Sequence, residues 1–411
     1  MNTLTTYLVG GAVRDQLLGL PTKDRDWVIV GSTPEHMRSL GFKQVGEDFP
    51  VFLHPESQEE YALARLERKS GQGYTGFQCD SSASVTLEED LLRRDLTINA
   101  MAQDRNGRII DPYGGKQDLE DRILRHVSPA FSEDPLRILR LARFYARFKH
   151  LGFSVDNSTK ELCREIVQAG EVQHLVAERV WQETRRALSE PSASAYFELL
   201  RELDCLSILM PELEALFGVP QPEKHHPEID CGLHALLSME QAKLMSPEES
   251  VWYAALVHDL GKALTPPDQW PRHFGHEQNG VKAVKSLNKR LKVPKEHADL
   301  ALLACEFHTH IHRALELRAE TVLKVFKRCD LFRKPERFEH ILLVAEADAR
   351  GRTGLETEPY PQAQRMRDYA HAAKAVEMKT LLATGLTGKE LGEYIDHART
   401  RAIEEVKKRY E

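Results

Sequence analysis

At 411 residues the chain exceeds one typical domain, and about two to four are expected. Its 41% hydrophobic and 29% charged residues describe an ordinary globular protein, and no apolar run approaches the roughly 18 residues of a membrane span. A net charge of −7 excludes affinity for polyanions over the whole surface, so any nucleic acid must meet a local basic face. Six scattered cysteines (Cys79, Cys163, Cys205, Cys231, Cys305, Cys329) form no C-x-x-C. That spacing points to reduced thiols and a cytoplasmic location, not a disulfide frame or a zinc ribbon. The early start of a strand is expected to leave no signal peptide.

An apolar strand at Tyr7–Val9 enters a turn at Gly10-Gly11, and a helix leaves from Ala12. A second strand, apolar over Trp27–Val30, opens with Asp24 and Asp26. Alternate strand residues share a face, so these two carboxylates point the same way. Side by side they repel one another unless a cation lies between them, and hard divalent cations prefer oxygen. Two glycines before a helix N-terminus let backbone N–H groups approach an anion. A phosphate cradle beside a metal-binding carboxylate pair is the layout for metal-assisted phosphoryl or nucleotidyl transfer.

Val51–Leu53 and Tyr61–Ala64 read as strands, and Asn106-Gly107 reads as the turn of a hairpin between 102 and 110. Lys69–Phe77, rich in glycine and without periodicity, reads as a loop that would suit a lid. Arg93-Arg94-Asp95-Leu-Thr-Ile-Asn99-Ala100 offers paired guanidiniums that match a triphosphate or ribose, or alternatively form an exposed ion-pair cluster.

From about residue 132 the periods become helical. Asp134-Pro135 is expected to cap a helix, with proline at its first position. Arg137, Arg140, Arg143 and Arg147 then share one face, with Leu136, Leu139, Ala142 and Tyr145 on others. Between Arg122 and His150 seven Lys/Arg stand against two acids, Glu133 and Asp134, which favours an anionic ligand over a solvated stripe. Amphipathic segments continue through Leu216, and a proline-containing break follows at Val219–Pro227. A histidine-rich helical region spans about 231–332, and 333–411 holds a loop at Gly351–Pro361 and a charged terminal helix.

As an ordered set, Leu8-Val-Gly-Gly-Ala-Val-Arg-Asp, Asp24-Arg-Asp26, Arg93-Arg-Asp-Leu-Thr-Ile-Asn-Ala and Glu133-Asp-Pro-Leu-Arg137 resemble the motifs of class II tRNA nucleotidyltransferases. Glu178-Arg-Val-Trp-Gln-Glu183 resembles their next motif, one that fixes the neck helices. The likeness runs along the whole chain and is greatest to the bacterial multifunctional CCA proteins. It implies an α+β fold: a nucleotidyltransferase head with a small mixed, polymerase β-like sheet at 1–125 and a helical neck and body at 126–226. An HD domain at 231–332 and a helical tail at 333–411 would follow. It also implies that Asp24 and Asp26 hold magnesium, that Gly11, Arg14 and Arg94 contact the incoming nucleotide, and that Asp134 and Arg137 select its base. Arg140 and Arg143 would hold phosphate or sugar. Glu60 is a third carboxylate near the site, which an edge-strand salt bridge explains equally well.

Val251-Trp-Tyr-Ala-Ala-Leu-Val-His258-Asp259-Leu-Gly-Lys resembles the central motif of HD-domain phosphohydrolases. Two imidazoles and two carboxylates suit a divalent transition metal. His234, His258, Asp259 and Asp348 form the primary ligand set, His276 and His308 a secondary one, and His225, His226, His273, His310 and His312 read as surface residues. The resemblance implies 2′,3′-cyclic phosphodiesterase, 2′-nucleotidase and phosphatase activities stimulated by nickel. The partners implied are tRNA, CTP and ATP, with no membrane, in a monomer or homodimer. A poly(A) polymerase on the same scaffold and a tRNA-binding HD hydrolase with an inert head are the alternative functions.

Overall fold

The strand β1 (Thr5–Val9) runs antiparallel to β2 (Asp26–Val30) over its whole length, from Thr5 opposite Val30 to Val9 opposite Asp26. Between them lies α1 (Gly11–Leu17). The chain was analysed as a computed structural model, which describes residues 4–22, 25–45, 51–69, 77–224, 226–378 and 385–410. Asp24, His225 and residues 70–76 of the glycine-rich segment lie outside the described residues.

The head continues through α2 (Pro34–Ser39), β3 (Lys43–Val45), β4 (Val51–Leu53), β5 (Glu60–Leu63), β6 (Leu66–Lys69), β7 (Phe77–Asp80), α3 (Leu87–Leu92), β8 (Ala102–Gln103) and β9 (Ile109–Ile110). Seven strands form one mixed sheet in the order β3-β4-β5-β2-β1-β8-β9, with β2 and β5 parallel. Successive side chains of a strand face opposite sides, and here both sides are covered. Val28 packs with Val9, Leu91 and Ala102, while its neighbour Ile29 packs with Met37, Phe52 and Leu63. The Asn106-Gly107 turn joins β8 to β9 as expected.

Beyond α4 (Gly115–Asp121) and β10 (Ile123–Leu124) comes α5 (Leu136–Phe148). It starts one residue later than the sequence suggested: Pro135 is the cap, and Asp134 Oδ1 accepts the Leu136 N–H at 3.0 Å. Its buried residues, among them Ile138, Leu139, Leu141 and Ala142, fix which edge of the helix its arginines occupy. The strand β11 (Ser154–Val155) pairs with β10. Then α6 (Asn157–Gln168), α7 (Ala177–Leu188), α8 (Ser194–Glu202) and α9 (Leu206–Leu209) complete a first compact unit, residues 1–209.

The second unit, 210–411, is helical: α10 (Pro211–Glu214), α11 (Cys231–Met245), α12 (Glu249–Val257), α13 (His276–Leu291), α14 (Lys295–His312), α15 (Ala319–Arg328), α16 (Pro335–Arg350), α17 (Pro361–Ala375) and a terminal helix, Gly388–Lys408. The helix α11 packs on α12 and α16, and α14 packs on α12, α13 and α16. Gly261, in the turn after α12, is a close-approach position. A Cβ there would lie 1.9 Å from the His276 carbonyl oxygen and 2.5 Å from Gly280 N. Only glycine lets that turn seat against the start of α13. No helix among the described residues is long and apolar enough to cross a membrane.

Candidate functional site

The first unit contains a cleft of about 800 Å³. Of the predicted nucleotide-site residues within the described chain, Gly11, Arg14, Asp26, Arg94, Asp134, Arg137, Arg140 and Arg143 line it, joined by Arg93, Asp95, Arg147 and Arg179, and Glu60 does not. The turn between β1 and α1 puts Gly10 at φ 65°, and a Cβ there would meet Arg94 Nη1 at 2.9 Å. Glycine at this turn thus lets the Arg94 guanidinium lie against the strand end. Asp26 is exposed at the first position of β2 and sits in register with Glu60. The strand carrying Glu60 is interior, so the edge-strand explanation does not hold. It is Glu59 that accepts from Trp27 Nε1 (3.2 Å) and pairs with Arg25 (4.0 Å).

Three of the four arginines read along α5 meet acids from distant segments. Arg140 pairs with Asp95 (2.8 Å), Arg143 with Glu183 (2.7 Å) and Glu190 (3.5 Å), and Arg147 with Asp15 (2.8 Å). Arg14 is almost wholly buried, against the rings of Phe144 and Phe148, and donates to Asn99 and Asp15. Asp95 is buried, which disfavours its charge. Arg140, the Asn99 amide and the Leu96 N–H outweigh that cost and hold its carboxyl well below the usual range. Arg137 donates to two carbonyls, Ala130 O (2.8 Å) and Arg93 O (2.7 Å), and these fix its plane. Arg179 Nη2 reaches Asp134 Oδ2 at 3.1 Å.

Asp90 does not figure in the sequence reading. Its carboxylate is fully buried and pairs with Arg93 (2.8 Å) and Arg94 (3.1 Å). Spacings of three and four residues on one helix turn were the signal that could have found it.

In the second unit, His234 on α11, His258 and Asp259 after α12, His276 on α13, His308 on α14 and Asp348 on α16 converge, all buried. His234 Nε2 lies 2.9 Å from Asp348 Oδ1, and His258 Nε2 lies 3.2 Å from Asp259 Oδ2 and 3.4 Å from Asp348 Oδ2. His276 and His308, the secondary pair of the sequence, each reach Asp259 Oδ1 at 3.4 Å, so the structure brings them beside the primary set.

Backbone acceptors assign the tautomers. Nδ1 of His258 faces Ala255 O (2.7 Å), that of His276 faces His273 O (2.9 Å), and that of His308 faces Ala304 O (3.1 Å). Each Nδ1 therefore carries its proton, and each Nε2 is the atom turned inward, where a metal would replace any proton it holds. His276 Nε2 and His308 Nε2 stand 3.2 Å apart, and His258 Nε2 and Asp259 Oδ1 are buried without a hydrogen-bond donor. Acceptors converging in this way fit a divalent cation. Burial disfavours a charge on His258, but Asp259 and Asp348 outweigh it and push that imidazole up to about 10, so with no cation bound a proton occupies the Nε2 that a metal would take. The field at the centre attracts positive charge.

Several expected surface histidines are not on the surface. His312 Nε2 lies 2.6 Å from Asp348 Oδ2, with the Tyr360 hydroxyl 2.8 Å from its Nδ1. Its i, i+4 spacing from His308 on α14 was a usable signal. His226 and His273 are buried: His226 meets Glu228 at 3.1 Å, and His273 meets Thr265 Oγ1 at 2.7 Å. His310 is half-buried on α14.

A cleft of arginines beside an exposed carboxylate, on one mixed sheet, and a buried His/Asp cluster among helices define a two-centre enzyme of phosphate chemistry. Three family models match in chain order: the poly A polymerase head domain over 6–125, the probable RNA and SrmB-binding site of polymerase A over 152–217, and the HD domain over 232–349. A multifunctional CCA protein of Hahella chejuensis is 58% identical over 98% of this chain and 95% of its own length. One of Haemophilus influenzae is 56% identical over 98% and 99%. In fold, the chain resembles the Bacillus stearothermophilus CCA-adding enzyme solved with CTP. That match has TM-score 0.65 and 24% identity, covering 97% of this chain and 88% of the other. It also resembles the Thermotoga maritima CCA-adding enzyme complexed with tRNA, with TM-score 0.64 and 22% identity, covering 99% and 92%. The chain belongs to the multifunctional CCA protein family and is a CCA-adding tRNA nucleotidyltransferase with an HD phosphohydrolase domain. The poly(A) polymerase and inert-head readings give way to it.

Proposed function

We propose that the head cleft adds C, C and A in turn to the 3′ end of tRNA from CTP and ATP, with Asp24 and Asp26 holding magnesium. A divalent cation bound there neutralises the triphosphate and lowers the pKa of the attacking 3′-hydroxyl. Gly11 lets backbone approach the phosphates, and Arg14 and Arg94 supply positive charge behind and beside them. Asp134 and Arg137 read the base. Cytosine and adenine each present an amino donor beside a ring-nitrogen acceptor, which a carboxylate and a guanidinium satisfy together. Uracil and guanine meet the same pair with like polarity. The fixed plane of Arg137 supports this reading, because a selector must hold its donors still. Arg140 and Arg143, whose partners are acids, exchange those partners for phosphate or sugar.

At the HD centre, His234, His258, Asp259 and Asp348 hold a divalent transition metal, nickel by preference, for 2′,3′-cyclic phosphodiesterase, 2′-nucleotidase and phosphatase activities. The observation that carries this is the set of inward Nε2 atoms around two carboxylates. The working segments are 1–125, 126–226, 231–332 and 333–411, in a cytoplasmic monomer or homodimer that grips tRNA through its backbone.

The test offers tRNA lacking its 3′ end with CTP alone, ATP alone or both, and 2′,3′-cyclic nucleotide with nickel. Asp26→Ala should abolish addition and spare hydrolysis, and His258→Ala should do the reverse. Long adenosine tails with CTP ignored, or loss of both activities in either variant, would overturn the reading.

A further inference from the structure

The four imidazoles of the HD centre are not held alike. His258, His276 and His308 each take an acceptor for Nδ1 from a backbone carbonyl three or four residues away. Their helices and turns therefore orient them. Nδ1 of His234 has its partners much farther along the chain or outside its own helix: Gly351 O at 3.2 Å and Glu228 Oε1 at 3.0 Å. Two acceptors on one nitrogen require a proton there, so Nε2 is the atom that His234 turns to Asp348.

We propose that Glu228 is a positioning residue of the HD centre, fixing His234 as an Nε2 ligand from a segment that precedes the HD family match. That match begins at residue 232. This inference rests on the reading of the centre as a metal site. The Glu228 side chain is 3% exposed, and its Oε1 also faces Gln221 Nε2 (3.2 Å) and His226 Nδ1 (3.1 Å). The Thr353 N–H points at Oε2 from 3.4 Å. So many donors hold the carboxylate in one orientation, and an oriented carboxylate both aims an imidazole and raises its basicity as a ligand.

The same segment touches a second ligand. Gln221 Oε1 accepts from Lys262 Nζ (2.8 Å), and Lys262 pairs with Asp259 Oδ2 (2.6 Å). Gln221 and Glu228 thus each reach toward the centre, and the bridge between Pro220 and Asp230 flanks them. Asp230 caps the helix that carries His234, accepting the Leu233 N–H at 2.9 Å. Glu228 and Asp230 thus act on His234 from one short stretch of chain, with Gly351 O as the second acceptor of its Nδ1.

The experiment titrates Ni2+ calorimetrically into the metal-stripped full-length chain, as wild type, Glu228→Gln and His226→Ala. Glu228→Gln keeps the shape and loses the charge, so nickel affinity should fall about 10–100-fold at unchanged stoichiometry. His226→Ala removes one of the donors to Glu228 but leaves the carboxylate on His234, with Gln221 and Thr353 still facing it, and should lose less nickel affinity than Glu228→Gln. CMP addition to truncated tRNA should be unchanged in both, which reports an intact fold. Should Glu228→Gln lose addition as well, Glu228→Asp, which retains the charge, takes its place and should bind more tightly than Glu228→Ala. Wild-type nickel affinity in Glu228→Gln overturns the proposal, as does loss of one nickel per chain with the remainder unaffected, which would make Glu228 a ligand. A wild-type chain that binds no nickel overturns the metal reading itself.

Discussion

The head cleft and the HD centre handle charge in opposite ways. In the cleft, Arg140, Arg143 and Arg147 pair with carboxylates from other segments, so these guanidiniums have partners before any substrate binds. In the HD centre, acceptors face acceptors, with His276 Nε2 3.2 Å from His308 Nε2. An ion pair can be exchanged for a phosphate contact at little net cost, since the guanidinium trades one oxyanion for another. Lys262 Nζ satisfies one oxygen of Asp259 (2.6 Å), but the converging Nε2 atoms are answered only by a proton or a metal cation. The cleft is thus built for substrates that come and go, and the HD centre for an ion that stays.

The largest effect that would break this comparison is at Asp90. Its buried carboxylate holds both Arg93 and Arg94, and Arg65 N–H donates to it as well (3.3 Å). Removing one partner of a buried pair leaves charges uncompensated, at a cost of about 3–5 kcal/mol. Asp90→Asn should lower the unfolding free energy of the first unit, measured in urea, by that order, and it should raise KM for CTP as Arg94 loses its anchor. Nickel affinity should not move. A variant with wild-type stability would show that the cleft arginines are held by something else.

Next in size is Gly261→Ala, which acts on the other centre. The added Cβ meets backbone, the His276 carbonyl and Gly280 N, so no side chain can yield. Overpacking of this kind costs about 1–3 kcal/mol, and here it displaces the start of α13 and with it His276. Nickel affinity should fall at least about tenfold, with CMP addition retained. If affinity is unchanged, His276 is not needed at the centre.

What the sequence allowed one to read follows the range of the interaction involved. The β1–α1–β2 entry, the hairpin at Asn106-Gly107, the arginine edge of α5 and the His258-Asp259 pair are local patterns, and the structure has each of them. The partners of those arginines are not local. Asp95 stands 45 residues from Arg140, and Glu183 stands 40 from Arg143. A charge count over one window therefore misses the acids that the fold brings to these arginines. Histidines fared similarly. His312 sits on Asp348, 36 residues away, and His226 on Glu228 beside α11, contacts that tertiary packing alone creates. A polar residue with no pattern around it reads as surface until its partner is known.

The smallest effect concerns acid, and it separates the two centres by a single carboxyl. Asp95 is a buried carboxylate whose pKa is depressed in the fold: burial alone would raise it, but Arg140, Asn99 and the Leu96 N–H together more than reverse that. A depressed pKa stabilises the fold above the unfolded value, near 3.9, and that contribution is lost as pH falls through the folded value. The Arg140 side chain is 35% exposed, so solvent screens the pair, and the contribution is on the order of 1 kcal/mol. Asp95→Asn should therefore be less stable than wild type by about that amount at pH 7. The gap should narrow as pH drops below about 4, where wild type loses what the variant never had. Urea unfolding of the first unit, followed from pH 7 to pH 3, measures it. A gap that stays constant to pH 3 would mean that Asp95 contributes shape and hydrogen bonds to the cleft and no net charge interaction. The arginine edge of α5 would then be held by Glu183 and Asp15 instead.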